Sequence, residues 1–194
     1  MSRQELLRWT GSIGIFYALI PAYLIASDRF LQTVMPWPAP RVTHELLVPV
    51  YGVLGLLGAA LAWVSMRAQV RRGRGHPFDM TGRESFSRPT QRLLSDGVYT
   101  ICRNPMGLGD VLFYAGLCGL TASGWSLVIQ VPAYAILVVW NHRVNERPAL
   151  MKRFGDDYRA YERQTPLLIP TPASLKRALR APRAGELRRQ RGAR

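Results

Sequence analysis

Where the charge sits constrains this chain more than how much of it there is. Of 26 Lys and Arg, four precede residue 45, eight lie between Arg67 and Arg103, fourteen lie from Arg143 onward, and none falls between 104 and 142. Apolar runs therefore alternate with basic loops, the layout of a polytopic membrane protein. The net charge of +14 beside 48% apolar residues follows from that segregation; uniform basicity would have pointed to nucleic acid, and no nucleic-acid partner is expected. The length of 194 residues is one domain's worth.

Four spans are expected, at about 9–26, 46–66, 105–122 and 125–140, in an all-α membrane bundle. The first is interrupted only by Pro21, read as a kink and not as part of a cleavable signal. Asp28 to Glu45, with Pro36, Pro38 and Pro40 around Trp37, reads as a short outer loop. Leu46 to Met66 carries no formal charge over a stretch long enough to cross the hydrocarbon. Arg67 to Arg103 is a long polar loop. The last two apolar stretches, parted by Ser123-Gly124, form a tight hairpin; both are short, so half-insertion is an alternative to full crossing. Residues 1–170 read as one domain, and 171–194 as a basic tail that is disordered or lies on anionic lipid. The arginine asymmetry puts the N-terminus, the 67–103 loop and the C-terminal segment in the cytoplasm, with a bacterial inner membrane fitting the size.

Candidate chemistry gathers where the basic segments flank the hairpin. Arg103 and Asn104 stand directly before Pro105, whose fixed φ and missing N–H suit a helix's first turn. Such a helix start offers open donors and partial positive charge; the plainer reading is an arginine anchoring a helix end. Asp110 lies in the first turns of an apolar segment, where an acid is either functional or simply favoured by the helix dipole. His142 and Glu146, four residues apart, face the same way if the last apolar helix continues. A surface charge pair with Arg143 and Arg147 is the alternative, and metal ligation is unlikely with so few ligands grouped. Cys102 and Cys118 belong to no metal or disulfide pattern, and Cys102 reads as a plain loop cysteine.

Leu93-Leu94-Ser95-Asp96-Gly97-Val98-Tyr99, then Arg103-Asn104-Pro105-Met106 and Gly109, then Glu146, Phe154-Gly155-Asp156-Asp157-Tyr158, Tyr161, Pro166 and Pro170 occur in this order around the hairpin. Over roughly residues 54–170 the chain resembles the isoprenylcysteine carboxyl methyltransferase and phospholipid methyltransferase-like superfamily of integral membrane enzymes. The resemblance implies a helical membrane fold holding S-adenosylmethionine at the cytosolic end while a small or lipophilic acceptor arrives from the bilayer. It places cofactor contacts on Leu93, Leu94, Tyr99, Asn104, Pro105, Met106, Gly107 and Glu146, and the adjacent Arg103 is a cation suited to the cofactor's carboxylate. It also points to His142 and Arg143 as acceptor-side residues, since an arginine one turn before the family glutamate holds the acceptor in prenylcysteine methyltransferases. An acceptor that must lose a proton would need a base, for which His142 and Asp110 are the candidates. Three positions depart from the family pattern: Gly107 stands for a tyrosine and removes a pocket wall, Arg147 for a second glutamate, and Thr100 for a frequent basic residue. These departures keep open a non-catalytic membrane protein of the same fold.

The orientation is testable by topology mapping. A reporter fused after Pro170 is expected to behave as cytoplasmic; activity only outside the cytoplasm would overturn the assignment.

Overall fold

A computed structural model of the chain, describing residues 13–38, 45–75 and 90–180, is all-helical and has no strand among the described residues. Helix α1 spans Ile20–Val34, α2 Val48–Ala68, α3 Pro105–Leu120, α4 Val131–Asn141, α5 Arg147–Gln164 and α6 Pro172–Arg180, with a 3₁₀ turn at Gly97–Thr100. Val48–Gly73 and Ser126–Gln164 are continuous helical stretches long and apolar enough to cross a membrane, and Pro105–Leu120 is apolar but shorter. The apolar surface of α2 is largely bare: Leu56 is 74% exposed and Leu57 59%. A helix apolar all round and exposed belongs in lipid, since a soluble protein would have buried it.

Three helices begin with a widened, five-residue turn, and each has the same cause. Ile15–Leu19, Ser126–Gln130 and His142–Glu146 close through i→i+5 bonds from Ile20, Val131 and Arg147, and Pro21, Pro132 and Pro148 come next. Proline has no N–H for the carbonyl four residues back, and its ring crowds that carbonyl. Opening the preceding turn relieves the clash without breaking the helix. What the sequence shows as a kink at Pro21 is therefore a π-type turn ahead of it.

Several boundaries differ from expectation. The first helix runs through Asp28 to Val34, where a loop was expected. Asp28 is 2% exposed and tolerated because its carboxylate accepts the Ser126 N–H and the Gln32 amide, both at 2.7 Å. Helix continues past Arg67 through a fourth wide turn, Gln69–Gly73, so the polar loop starts later, and its residues 76–89 lie outside the described residues. So do residues 1–12 and 39–44. The α3–α4 reversal turns on Ala122, at φ 56°, with the Ser123 N–H capping the Cys118 carbonyl at 2.8 Å. The expected tail begins as helix α6, and residues 181–194 lie outside the described residues. Thr171 and Ser174 form a reciprocal cap: the Thr171 N–H donates to Ser174 Oγ and the Ser174 N–H to Thr171 Oγ1. With Pro172 in the first turn, that cap starts a short helix that propensity alone would leave marginal.

The described residues form two compact units. One comprises the chain up to Ala59 with Asp110–Ile136, the other Ala60–Gly109 with Leu137 onward. The first is centred on Leu24, Tyr114, Cys118 and Val131. Small residues set its helix spacing: a Cβ on Gly116 would stand 2.5 Å from the Gly55 nitrogen and 2.6 Å from the Tyr51 carbonyl oxygen. Helices in lipid associate by such close approach, having little hydrophobic drive toward one another. The second unit is centred on Ala68, Leu94, Tyr99, Tyr158 and Tyr161.

Because backbone rather than a flexible side chain opposes it, Gly116→Ala is expected to destabilise the protein by about 1–3 kcal/mol. Thermal unfolding in detergent checks this; an unchanged midpoint would contradict the close approach.

Candidate active site

The second unit contains a recess that opens to solvent. Leu93, Leu94, Tyr99, Arg103, Asn104, Met106, His142 and Glu146 all line it. Two stretches some forty residues apart in sequence thus meet in one cavity.

Gly97, at φ 61°, makes the left-handed turn that starts the Gly97–Thr100 segment, a conformation glycine adopts without penalty. Arg72 pairs with Asp96 at 2.7 Å just before it. The turn buries Tyr99, whose hydroxyl donates to Gln69 Oε1 at 3.1 Å and whose carbonyl accepts from Tyr161 at 2.7 Å. Burial pushes the Tyr99, Tyr158 and Tyr161 hydroxyls above the ordinary tyrosine value, so all three are neutral donors.

Arg103 is a clamp. Its backbone N–H donates to Pro166 O at 2.8 Å, its Nε to Thr165 O at 3.0 Å, and its Nη1 to both Tyr158 Oη at 3.0 Å and Glu162 at 2.6 Å. The side chain lines the recess, yet these groups of the protein already occupy much of its donor fork. Asn104 caps α3: its Oδ1 accepts the Gly107 N–H at 2.9 Å and its own N–H donates to Leu167 O at 3.0 Å. Of the N–H groups that the Pro105 corner was expected to leave open, Gly107's is therefore taken.

Across the recess, the wide turn forced by Pro148 carries His142 and Glu146. His142, 2% exposed, contacts Glu146 Oε2 through Nδ1 at 2.8 Å and Tyr158 Oη through Nε2 at 3.1 Å. Since Tyr158 accepts from Arg103, its proton is available to Nε2, and Nδ1–H then serves Glu146. This pattern satisfies every partner with a neutral imidazole. Asn141 Nδ2 donates to the other Glu146 oxygen at 2.9 Å. A carboxylate has about four acceptor sites, so Glu146 keeps capacity toward the recess. Beyond Arg103, Glu162 also binds Arg147 at 2.9 Å. The polar chain thus runs Glu146, His142, Tyr158, Arg103, Glu162, Arg147.

Other expected residues are placed elsewhere. Arg143 is exposed and does not line the recess. Asp110 belongs to the first unit, 2% exposed, accepting from Tyr17 at 3.0 Å and Tyr134 at 3.5 Å. Pro105 is fully buried and Gly107 is no missing wall: a Cβ there would meet Val138 Cγ1 at 2.7 Å. Arg147 faces Glu162 and is not among the lining residues, so it adds no charge to the recess wall. Cys102 is fully buried, and burial pushes its thiol up to about 12, which removes it as a nucleophile. Sequence reasoning missed the bridging Glu162 and the lining residues Leu150 and Arg153, and read Phe154 only as part of the family motif. Gly155 is the signal for them: its φ of 51° breaks α5, changing the helix direction between Phe154 and Tyr158.

The sequence profile of the phospholipid methyltransferase family matches residues 53–157, more than half of the chain. The chain belongs to that family. Its recess lies within the matched stretch except for Tyr158 and Tyr161, which follow directly. Phospholipid methyltransferases are membrane-associated enzymes, in keeping with the bare apolar helices above. No curated protein and no solved structure matches it.

Hydrogen bonds, from Arg147 foremost, hold the Glu162 carboxyl below its ordinary value. A lowered folded-state pKa contributes stability above the unfolded value that is lost as pH falls through the folded one. Stability should therefore decline as pH drops below about 4. Glu162→Ala should remove that component and, by leaving Arg103 without its anion, cost about 2 kcal/mol. Melting curves against pH on both proteins check this; a variant as stable as the parent at neutral pH would contradict the clamp.

Proposed function

We propose that this family member is an S-adenosylmethionine-dependent methyltransferase that modifies a lipophilic or small acceptor at the membrane. The observation that carries the reading is the shared recess: the Leu93–Met106 corner and the His142–Glu146 turn line one cavity with a carboxylate, apolar walls and cations. Its chemistry fits the donor. Leu93, Leu94, Leu150 and Phe154 offer an apolar slot for a purine, Glu146 an anion for cationic or hydroxyl groups, and Arg103 and Arg153 cationic character for a carboxylate. S-adenosylmethionine, when bound, would supply a methyl group that passes in line from sulfur to the acceptor, with the S-adenosylhomocysteine thioether as the leaving group.

The protein's contribution is orientation and exclusion of water. Tyr99 and Asn104 are fixed by their own hydrogen bonds, so the wall they form is preorganised. Glu146 is held from two sides by Asn141 and His142. A carboxylate or thiolate acceptor needs no base. For an amine, His142 is the candidate, its Nε2 exchanging the Tyr158 hydroxyl for the acceptor proton. Arg143, exposed on this turn, is left the role of acceptor contact, and Asp110 that of an alternative base. The site works in a membrane whose cytoplasmic side holds the termini, a reading that rests on the arginine asymmetry, and a bacterial inner membrane fits the size.

Calorimetric titration of S-adenosylmethionine into detergent-purified protein tests the proposal. Saturable binding is expected, and Glu146→Gln should weaken it roughly tenfold or more, the scale of one charge-assisted contact. Folded protein that binds nothing at millimolar donor would favour a non-catalytic protein of the same fold.

A further inference from the structure

Helix α6 is held on the second unit by one side only. Ser174 is fully buried, Ala178 is half-buried, the helix packs on the Gly97–Thr100 turn, and Arg177 donates to the Gln164 carbonyl. What faces outward is not ordinary polar surface. Leu175 and Leu179 share a face four residues apart, 45% and 87% exposed, and Ile169 just ahead of the helix is 78% exposed. Lys176 and Arg180, also four apart and both exposed, lie one helical step round from the leucines. No acidic side chain occurs in α6. From Lys176 to residue 194 the sequence has eight Lys and Arg against the single Glu186.

We infer that α6 is a docking surface for anionic phospholipid headgroups of the membrane that holds the protein, the helix lying in the interface with its leucines toward the acyl boundary. A partly apolar, strongly basic, acid-free helix face is complementary to a negatively charged bilayer surface, where each cation adds to an apolar contact. A nine-residue helix with two leucines would bind weakly as a free peptide. Here it is part of a chain anchored by apolar helices, so docking is intramolecular and the effective lipid concentration is high. The inference uses no element of the methyl-transfer reading and stands or falls separately from it.

The test places an environment-sensitive fluorophore on Leu179→Cys in the full chain; Cys102 and Cys118 are fully buried, so labelling is selective. The labelled protein is reconstituted into nanodiscs of neutral phosphatidylcholine or of phosphatidylcholine with phosphatidylglycerol. Blue-shifted emission with several-fold weaker iodide quenching is expected only in the anionic discs. High salt should reverse it, and so should the double change Lys176→Gln with Arg180→Gln. Water-like emission in both discs would overturn the inference. So would apolar emission in both, which would mean a lipid-independent partner, or an unaltered shift in the double variant.

Discussion

The buried guanidinium of Arg103 is the constraint on which the second unit depends. A cation only 11% exposed must be paired, and this one is paired with three groups at once: the Tyr158 hydroxyl, the Glu162 carboxylate and the Thr165 carbonyl. Adjacent backbone bonds from Arg103 and Asn104 to Pro166 and Leu167 run the same connection through the main chain. The clamp therefore fixes α5 and the segment after it against the start of α3. A recess has walls because these segments cannot drift apart.

Tyr158 carries the constraint to the opposite wall. It accepts from Arg103 and meets His142, which in turn holds Glu146, so a charge fixed at one end orients a carboxylate at the other. Pro148 sets the turn that presents both residues, and Gly155 breaks α5 between Phe154 and Tyr158. These residues act on the site without being its chemistry.

Much of this was legible in the chain. Charge segregation gives a membrane helical protein, because lysine and arginine are excluded from hydrocarbon while leucine is not. Pro105 marks a helix start, and the spacing of His142 and Glu146 puts them in contact. The misreadings are equally physical. Asp28 looks like a loop residue until Ser126, ninety-eight positions later, donates to it. Glu162 gives no local sign of pairing with Arg103, and Gly107 looks like a vacant wall until Val138 fills the space. Each depends on a partner distant in sequence, which periodicity and composition do not encode. Helix α6 is different: Thr171-Pro172-Ala173-Ser174 is a local cap that the basic composition after it obscured.

The proposed donor site requires the Leu93–Met106 corner and the His142–Tyr158 segment to contact one bound methyl donor together. Ultraviolet crosslinking of radiolabelled S-adenosylmethionine to the protein in membranes, with adducts mapped by mass spectrometry, addresses it most directly. Adducts in both segments, competed by unlabelled donor, are expected. Competed adducts confined to Asp110–Ile136, or label that no donor competes, would contradict it.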